Sequence, residues 1–144
     1  MIRRLLMVLT VPVMLCLSTV SATSPQQTSV AGYVLERDVE VAKNEPGPHE
    51  GGGPSTGYVF FEKAPNLKFS FRKRVLHKGS GIGYHLQKTD EVYYMIGGQG
   101  VMTINGKPFD VHAGDAVLTR GGSSHGLVQK GEADLTIVIT FQKE

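Results

Sequence analysis

The sequence predicts an all-β protein, a closed barrel or a double-sheet jelly roll, on three observations. Short runs rich in Val, Ile, Phe and Tyr recur from residue 58 to residue 141, and Gly, Asn-Gly and Pro turns divide them. No convincing amphipathic helix interrupts the series. Many short strands with regular turn signals are the pattern of barrels and two-sheet folds, in which strand edges are paired or protected.

The chain opens differently. Arg3 and Arg4 precede an apolar run over residues 5–17 that is too short and proline-broken to span a bilayer comfortably, and Val20, Ser21 and Ala22 form a small-residue cleavage pattern. Residues 1–22 are therefore expected to be a secretory signal peptide, which implies a secreted or periplasmic protein. Cys16 is the only cysteine and lies inside it, so no disulfide framework and no zinc–thiolate site is expected after cleavage. Cleavage also removes two of 15 basic residues and none of 13 acidic ones, leaving thirteen of each. That balance offers no basic face for nucleic acid or for an anionic membrane. What remains suffices for one core and is too short for two.

Residues 23–57 are expected to be an N-terminal arm and a Gly/Pro-rich loop, with the barrel at 58–144. Residues 23–29 are polar. Residues 30–42 carry VLERDVEVA, whose partial alternation suggests an edge strand. Residues 44–57, NEPGPHEGGGPSTG, are too dense in Gly and Pro for a packed element and read as a mobile connector. The alternative is a lid over the barrel mouth that carries His49 and Glu50, with His49 as a conceivable further ligand.

Strands are expected at 58–63 and 67–77 around the turn Ala64-Pro65-Asn66. In the second, Phe69, Phe71, Lys73, Val75 and His77 share one face. That set is the more apolar, so it is expected to point inward, with Lys73 as a pocket cation and Arg72 and Arg74 in solvent. A one-residue bulge would reverse the assignment. After residue 98, a hairpin is expected around Asn105-Gly106, then strands at 116–119, 126–129 and 133–141.

The chemistry concentrates in residues 79–98, GSGIGYHLQKTDEVYYMIGG. His85 and Gln87 are two apart in a strand-like run, so both side chains lie on one face. Glu91, Tyr93 and Met95 alternate on one face of the next run. A hairpin between the runs would bring the Glu91 carboxylate beside the His85 imidazole, and His125 supplies a fourth group from GDAVLTRGGSSHGLVQ.

These residues resemble the two motifs of the cupins, small double-stranded β-helix barrels that hold one divalent metal. The first motif is matched by Gly79, His85, Gln87, Glu91 and Gly98, with every spacing kept and Gln87 in place of the second histidine. The second is matched by Gly114, Arg120, Gly122, His125 and Gln129, with Arg120 for the usual proline and Gln129 for the final asparagine. The resemblance covers roughly residues 69–141. It implies His85, Gln87, Glu91 and His125 as metal ligands, and small cupins of this kind are often homodimers. Two imidazoles and a carboxylate suit iron(II), and manganese, nickel, cobalt or zinc occupy similar sites. Gln87 would bind only through a neutral amide oxygen. His77 and His112 have no motif partner at ligand spacing and are expected to be packed or exposed.

Function does not follow from the fold. One expectation is an enzyme acting on a small oxygen-rich metabolite such as a sugar, uronate, keto acid or hydroxy acid. Isomerase, lyase or dioxygenase chemistry would then proceed at the metal, with Tyr93 or Lys73 assisting proton transfer. The other expectations are a non-catalytic module that binds a sugar, a small molecule or the metal, and a structural barrel that needs no site.

Overall fold

The computed structural model describes residues 32–143. Among them one helical turn, α1 (Asp38–Val41), is followed by ten strands. These are β1 (Ala42–Pro46), β2 (Pro54–Phe60), β3 (Phe69–Leu76), β4 (Gly81–Leu86), β5 (Glu91–Gly97), β6 (Gln99–Ile104), β7 (Lys107–His112), β8 (Ala116–Thr119), β9 (Ser124–Lys130) and β10 (Leu135–Gln142). They form two antiparallel sheets, ordered β1-β2-β3-β10-β5-β8 and β4-β9-β6-β7. The all-β jelly roll expected from the turn spacing is the observed architecture.

Local signals were realised where one residue pair or one alternation decides the outcome. The β6–β7 hairpin turns at Asn105 and Gly106, whose φ values of 48° and 77° are both positive, as a type I′ turn requires. In β5, Glu91, Tyr93 and Met95 are buried while Tyr94 and Ile96 are exposed.

Four expectations are corrected. No strand runs over residues 30–42 among those described. Residues 38–41 make a single helical turn whose Glu40 carboxylate accepts the Arg37 N–H at 2.8 Å, and the edge strand β1 starts only at Ala42. Val34, Leu35 and Val39 remain exposed. With no apolar face to bury, this segment lacks what would hold it in a sheet.

Residues 44–57 are not a loose connector. Their two ends are the paired strands β1 and β2, with Pro46 opposite Pro54 and Glu45 opposite Ser55. The loop between them lies on the start of β4, joined by Gly81 N–H to Gly52 O at 3.3 Å and Gly83 N–H to Pro48 O at 2.9 Å. A β-carbon on Gly51 or Gly83 would overlap the facing backbone. Here glycine permits close approach of two chains rather than marking disorder.

β4 and β5 do not form a hairpin. β4 pairs with β9, β5 pairs with β10 and β8, and residues 87–90 cross from one sheet to the other. His85 and Glu91 therefore come from different sheets and both line the interior cavity.

The parity of β3 is also reversed. Register aligns Leu76 with Ser55 and Leu135, Arg74 with Gly57 and Ile137, and Arg72 with Val59 and Ile139. Leu135, Ile137 and Ile139 are core residues, so Arg72 and Arg74 point inward with them. Lys73 lies on the outer face, paired with Asp38 and set 4.0 Å over the Tyr58 ring. Phe71 packs on Phe60 on that same side.

The two inner faces meet in a dense apolar end built from Leu76, Met95, Met102, Leu127, Leu135 and Ile137, all fully buried. Each such side chain contributes about 1.5–3 kcal/mol. The other end of the interior is polar and open.

Candidate metal centre

The open end is a cavity of about 470 Å³ lined in part by His49, Arg72, His85, Gln87, Glu91 and Tyr93. His85 and His125 are register partners on β4 and β9, next to a bulge between Ile82 and His85. Their rings meet edge to face, 4.7 Å apart at 71°. Nδ1 of His85 lies 2.8 Å from the Gly83 carbonyl, which only accepts, so Nδ1 carries a hydrogen and Nε2 is the nitrogen left to offer a lone pair.

His125 has no exposed surface. Its Nδ1 is 2.8 Å from Thr119 Oγ1, and its Nε2 stands 3.1 Å from Glu91 Oε2 on the opposite sheet. Those last two atoms are buried, and neither is aligned in a hydrogen bond. Leaving buried polar atoms unmatched is costly. Imidazole nitrogen and carboxylate oxygen are the donors divalent transition metals take, so the residues present fit such an ion. His85, Glu91 and His125 are the side chains that could hold it. Among the described residues, no three His, Cys, Asp or Glu side chains already stand close enough to enclose an ion.

Gln87 lies on the cavity wall, where its backbone ties β4 to the β8–β9 loop through Ser123 O at 2.9 Å and Gly122 N–H at 2.8 Å. Its side chain makes none of the contacts that join Glu91, His85 and His125. Tyr93 is buried 5.2 Å from the His125 ring. Burial, with the Glu91 charge and hydrogen bond added, pushes its phenol well above the ordinary tyrosine value. Lys73, expected as a pocket cation, is on the other side of the sheet.

The inward cations are the arginines that the alternation had assigned to solvent. Arg72 lines the cavity, its Nε bonded to Ser70 Oγ at 3.0 Å and its guanidinium 5.0 Å from the Phe141 ring centre. Arg74 is buried and bonds Glu45 Oε1 at 2.8 Å and Ser55 Oγ at 2.9 Å. Gly57 leaves the room, since its β-carbon would sit 2.8 Å from the Glu45 oxygen and 2.9 Å from Arg74 Nη2. That guanidinium bond holds the Glu45 carboxyl below its usual range, against an opposing effect of burial.

His49, weighed only as a conceivable ligand, stacks on His85 with ring centres 3.5 Å apart and planes 7° from parallel. Burial first, and then the neighbouring His85, pushes its pKa below the usual histidine value. Gln129 and Arg120, from the second motif, and His77, outside both, have plain structural roles. Gln129 accepts from Gly79 N–H and donates to the carbonyls of Lys130, Gly131 and Ala133. Arg120 is exposed and bonded to Asp90, and His77 bridges Thr56 and Asp134.

The fold and this polar interior define a cupin, and residues 73–141 match the cupin domain model. The chain is a member of the cupin superfamily. It is 38% identical over 66 residues to an oxalate-binding protein of Thermotoga maritima, a match covering 45% of this chain and 54% of the relative. The chain thus spans about half the length of that curated relative. The crystal structure of a predicted oxalate decarboxylase from Thermotoga maritima superposes with a TM-score of 0.68 at 27% identity, covering 77% of this chain and 100% of the other. A cupin 2 conserved barrel domain protein from Salinispora arenicola gives 0.63 at 17% identity over 79% and 91% of the two chains, a likeness of fold alone.

Proposed function

We propose that the protein binds one divalent metal through His85, Glu91 and His125 and uses it to hold a small carboxylate anion of the oxalate type. The observation that carries this reading is the buried pair Glu91 Oε2 and His125 Nε2, 3.1 Å apart and in no aligned hydrogen bond, beside a cavity lined by Arg72. A bound divalent ion supplies Lewis acidity and a chelation point for carboxylate oxygens. Thr119 orients His125, the Gly83 carbonyl orients His85, and Arg72 offers a planar, always-charged donor set that matches a second carboxylate. The name of the Thermotoga oxalate-binding relative supports the choice of ligand. With the leader expected at residues 1–22, the protein would meet that ligand outside the cytoplasm.

Binding is favoured over turnover because one side chain nominated for proton transfer lies outside the cavity and the other, inside it, holds its proton more tightly than an ordinary tyrosine. Lys73 is outside with Asp38, and the Tyr93 hydroxyl is buried beside Glu91. Lyase chemistry on the same anion is the second reading, supported by the likeness to a predicted oxalate decarboxylase that this chain covers completely. Calorimetry of metal-loaded protein against oxalate, acetate and succinate tests the first reading. Tight, metal-dependent binding of oxalate is expected. Equal affinity with and without metal would remove the proposal, and release of carbon dioxide from bound oxalate would replace it with the second.

A further inference from the structure

His49 is the one histidine in the cavity that neither cupin motif accounts for. It arrives from the β1–β2 loop, a segment closed on itself at its base and bonded to β4 and to the residue before it. Gly47 N–H bonds Gly53 O at 3.0 Å, Gly83 N–H bonds Pro48 O at 2.9 Å, and Ser80 Oγ donates to Gly52 O at 3.1 Å. His49 itself has φ of 52°, left-handed backbone that histidine and asparagine tolerate better than most residues. Its carbonyl is pressed onto Gly83, where a β-carbon would overlap it. The loop is thus built to a fixed position, and what it delivers is a ring laid flat on His85.

Parallel stacking decides which role that ring can have. An imidazole nitrogen binds metal through a lone pair in the ring plane. Two rings 3.5 Å apart and 7° from parallel direct those lone pairs along separate, nearly parallel planes. Both cannot meet one ion in plane. His85 is the ring with the motif position, the Gly83 carbonyl on Nδ1, and His125 at its edge. The remaining freedom of the His85 ring is tilt about its own bonds, and a flat neighbour removes it.

We infer that His49 is a positioning residue: it clamps the face of His85 and so holds His85 Nε2 toward the cation without being a ligand itself. This rests on the metal reading above. The N-terminal β1–β2 hairpin is thereby part of the site, through orientation of a donor rather than through donation. Partners that orient a ligating histidine affect metal affinity by about 10- to 100-fold, and a stacked ring acts on the same degree of freedom.

The test is metal affinity, by competition with a chelating dye for Mn(II) and Co(II), in three variants with matched thermal melts. His49→Asn keeps the tolerance for positive φ and removes the ring, and is expected to bind about 10- to 100-fold more weakly. His49→Phe keeps a flat ring with no lone pair, and is expected to recover most of that loss. His112→Ala, on the exposed β7 end, is expected to match wild type. Cu(II) electron paramagnetic resonance should count the same number of coordinated nitrogens in wild type and His49→Asn. If His49→Phe binds as weakly as His49→Asn and one nitrogen disappears, His49 is a ligand and the inference falls. It falls equally if His49→Asn binds as wild type does. Failure of the wild type itself to take up metal would overturn the metal reading together with this one.

Discussion

Oε2 of Glu91 and Nε2 of His125 face each other at 3.1 Å across the interior, one from each sheet, both buried and neither hydrogen-bonded. Glu91→Gln and His125→Ala are each expected to abolish metal uptake at micromolar concentration. Thr119→Val, which removes the hydroxyl 2.8 Å from His125 Nδ1, is expected to weaken it by about 10- to 100-fold. Dialysis followed by elemental analysis reads all three. Full occupancy in Glu91→Gln would show that the pair is not a metal site.

Arg72 and Lys73 are adjacent in sequence and on opposite faces of β3. Arg72→Met is expected to weaken oxalate binding by at least about tenfold, the loss of one charge-assisted contact. Lys73→Met should leave that affinity unchanged. Isothermal titration of both variants in the metal-loaded form decides it, and the reverse ranking would restore Lys73 as the pocket cation.

The Glu45–Arg74 pair ties β1 to β3 behind the cavity. Its folded carboxyl holds a proton less tightly than the unfolded one, chiefly because of Arg74. The stabilisation is therefore complete above the ordinary glutamate value of 4.5 and fades as pH falls through the lower folded value. Glu45→Gln keeps an amide oxygen that can accept from the guanidinium but removes the charge, and is expected to cost about 1 kcal/mol at pH 7, discounted because Glu45 is partly exposed. Urea melts at pH 7 and pH 3.5 check this. The gap between wild type and variant should narrow at the lower pH.

Gln129 spends its amide on four backbone partners around the turn that leads into β10. Gln129→Ala is expected to lower stability by about 1–2 kcal/mol while leaving the metal site assembled, because several part-buried hydrogen bonds around this turn are lost together, with water free to replace some of them. Denaturation coupled with metal titration separates the two effects.

Sequence alone was enough to determine what depends on short spans of chain. The Asn105-Gly106 turn, the inward set of β5 and the spacing that singles out His85, Glu91 and His125 were all readable, because a turn type or a period-two alternation is settled by a few neighbouring residues. Tertiary structure decided the rest. Whether Arg72 or Lys73 faces the cavity depends on the register of β3 between β2 and β10, since both of its faces are chemically mixed and parity is set by which partners are already buried. The glycines of residues 44–57 look like a loose linker until Gly81 and Gly83, far along the chain, are laid against them. That docking also brings His49 flat against His85, a contact between distant segments that no local pattern encodes.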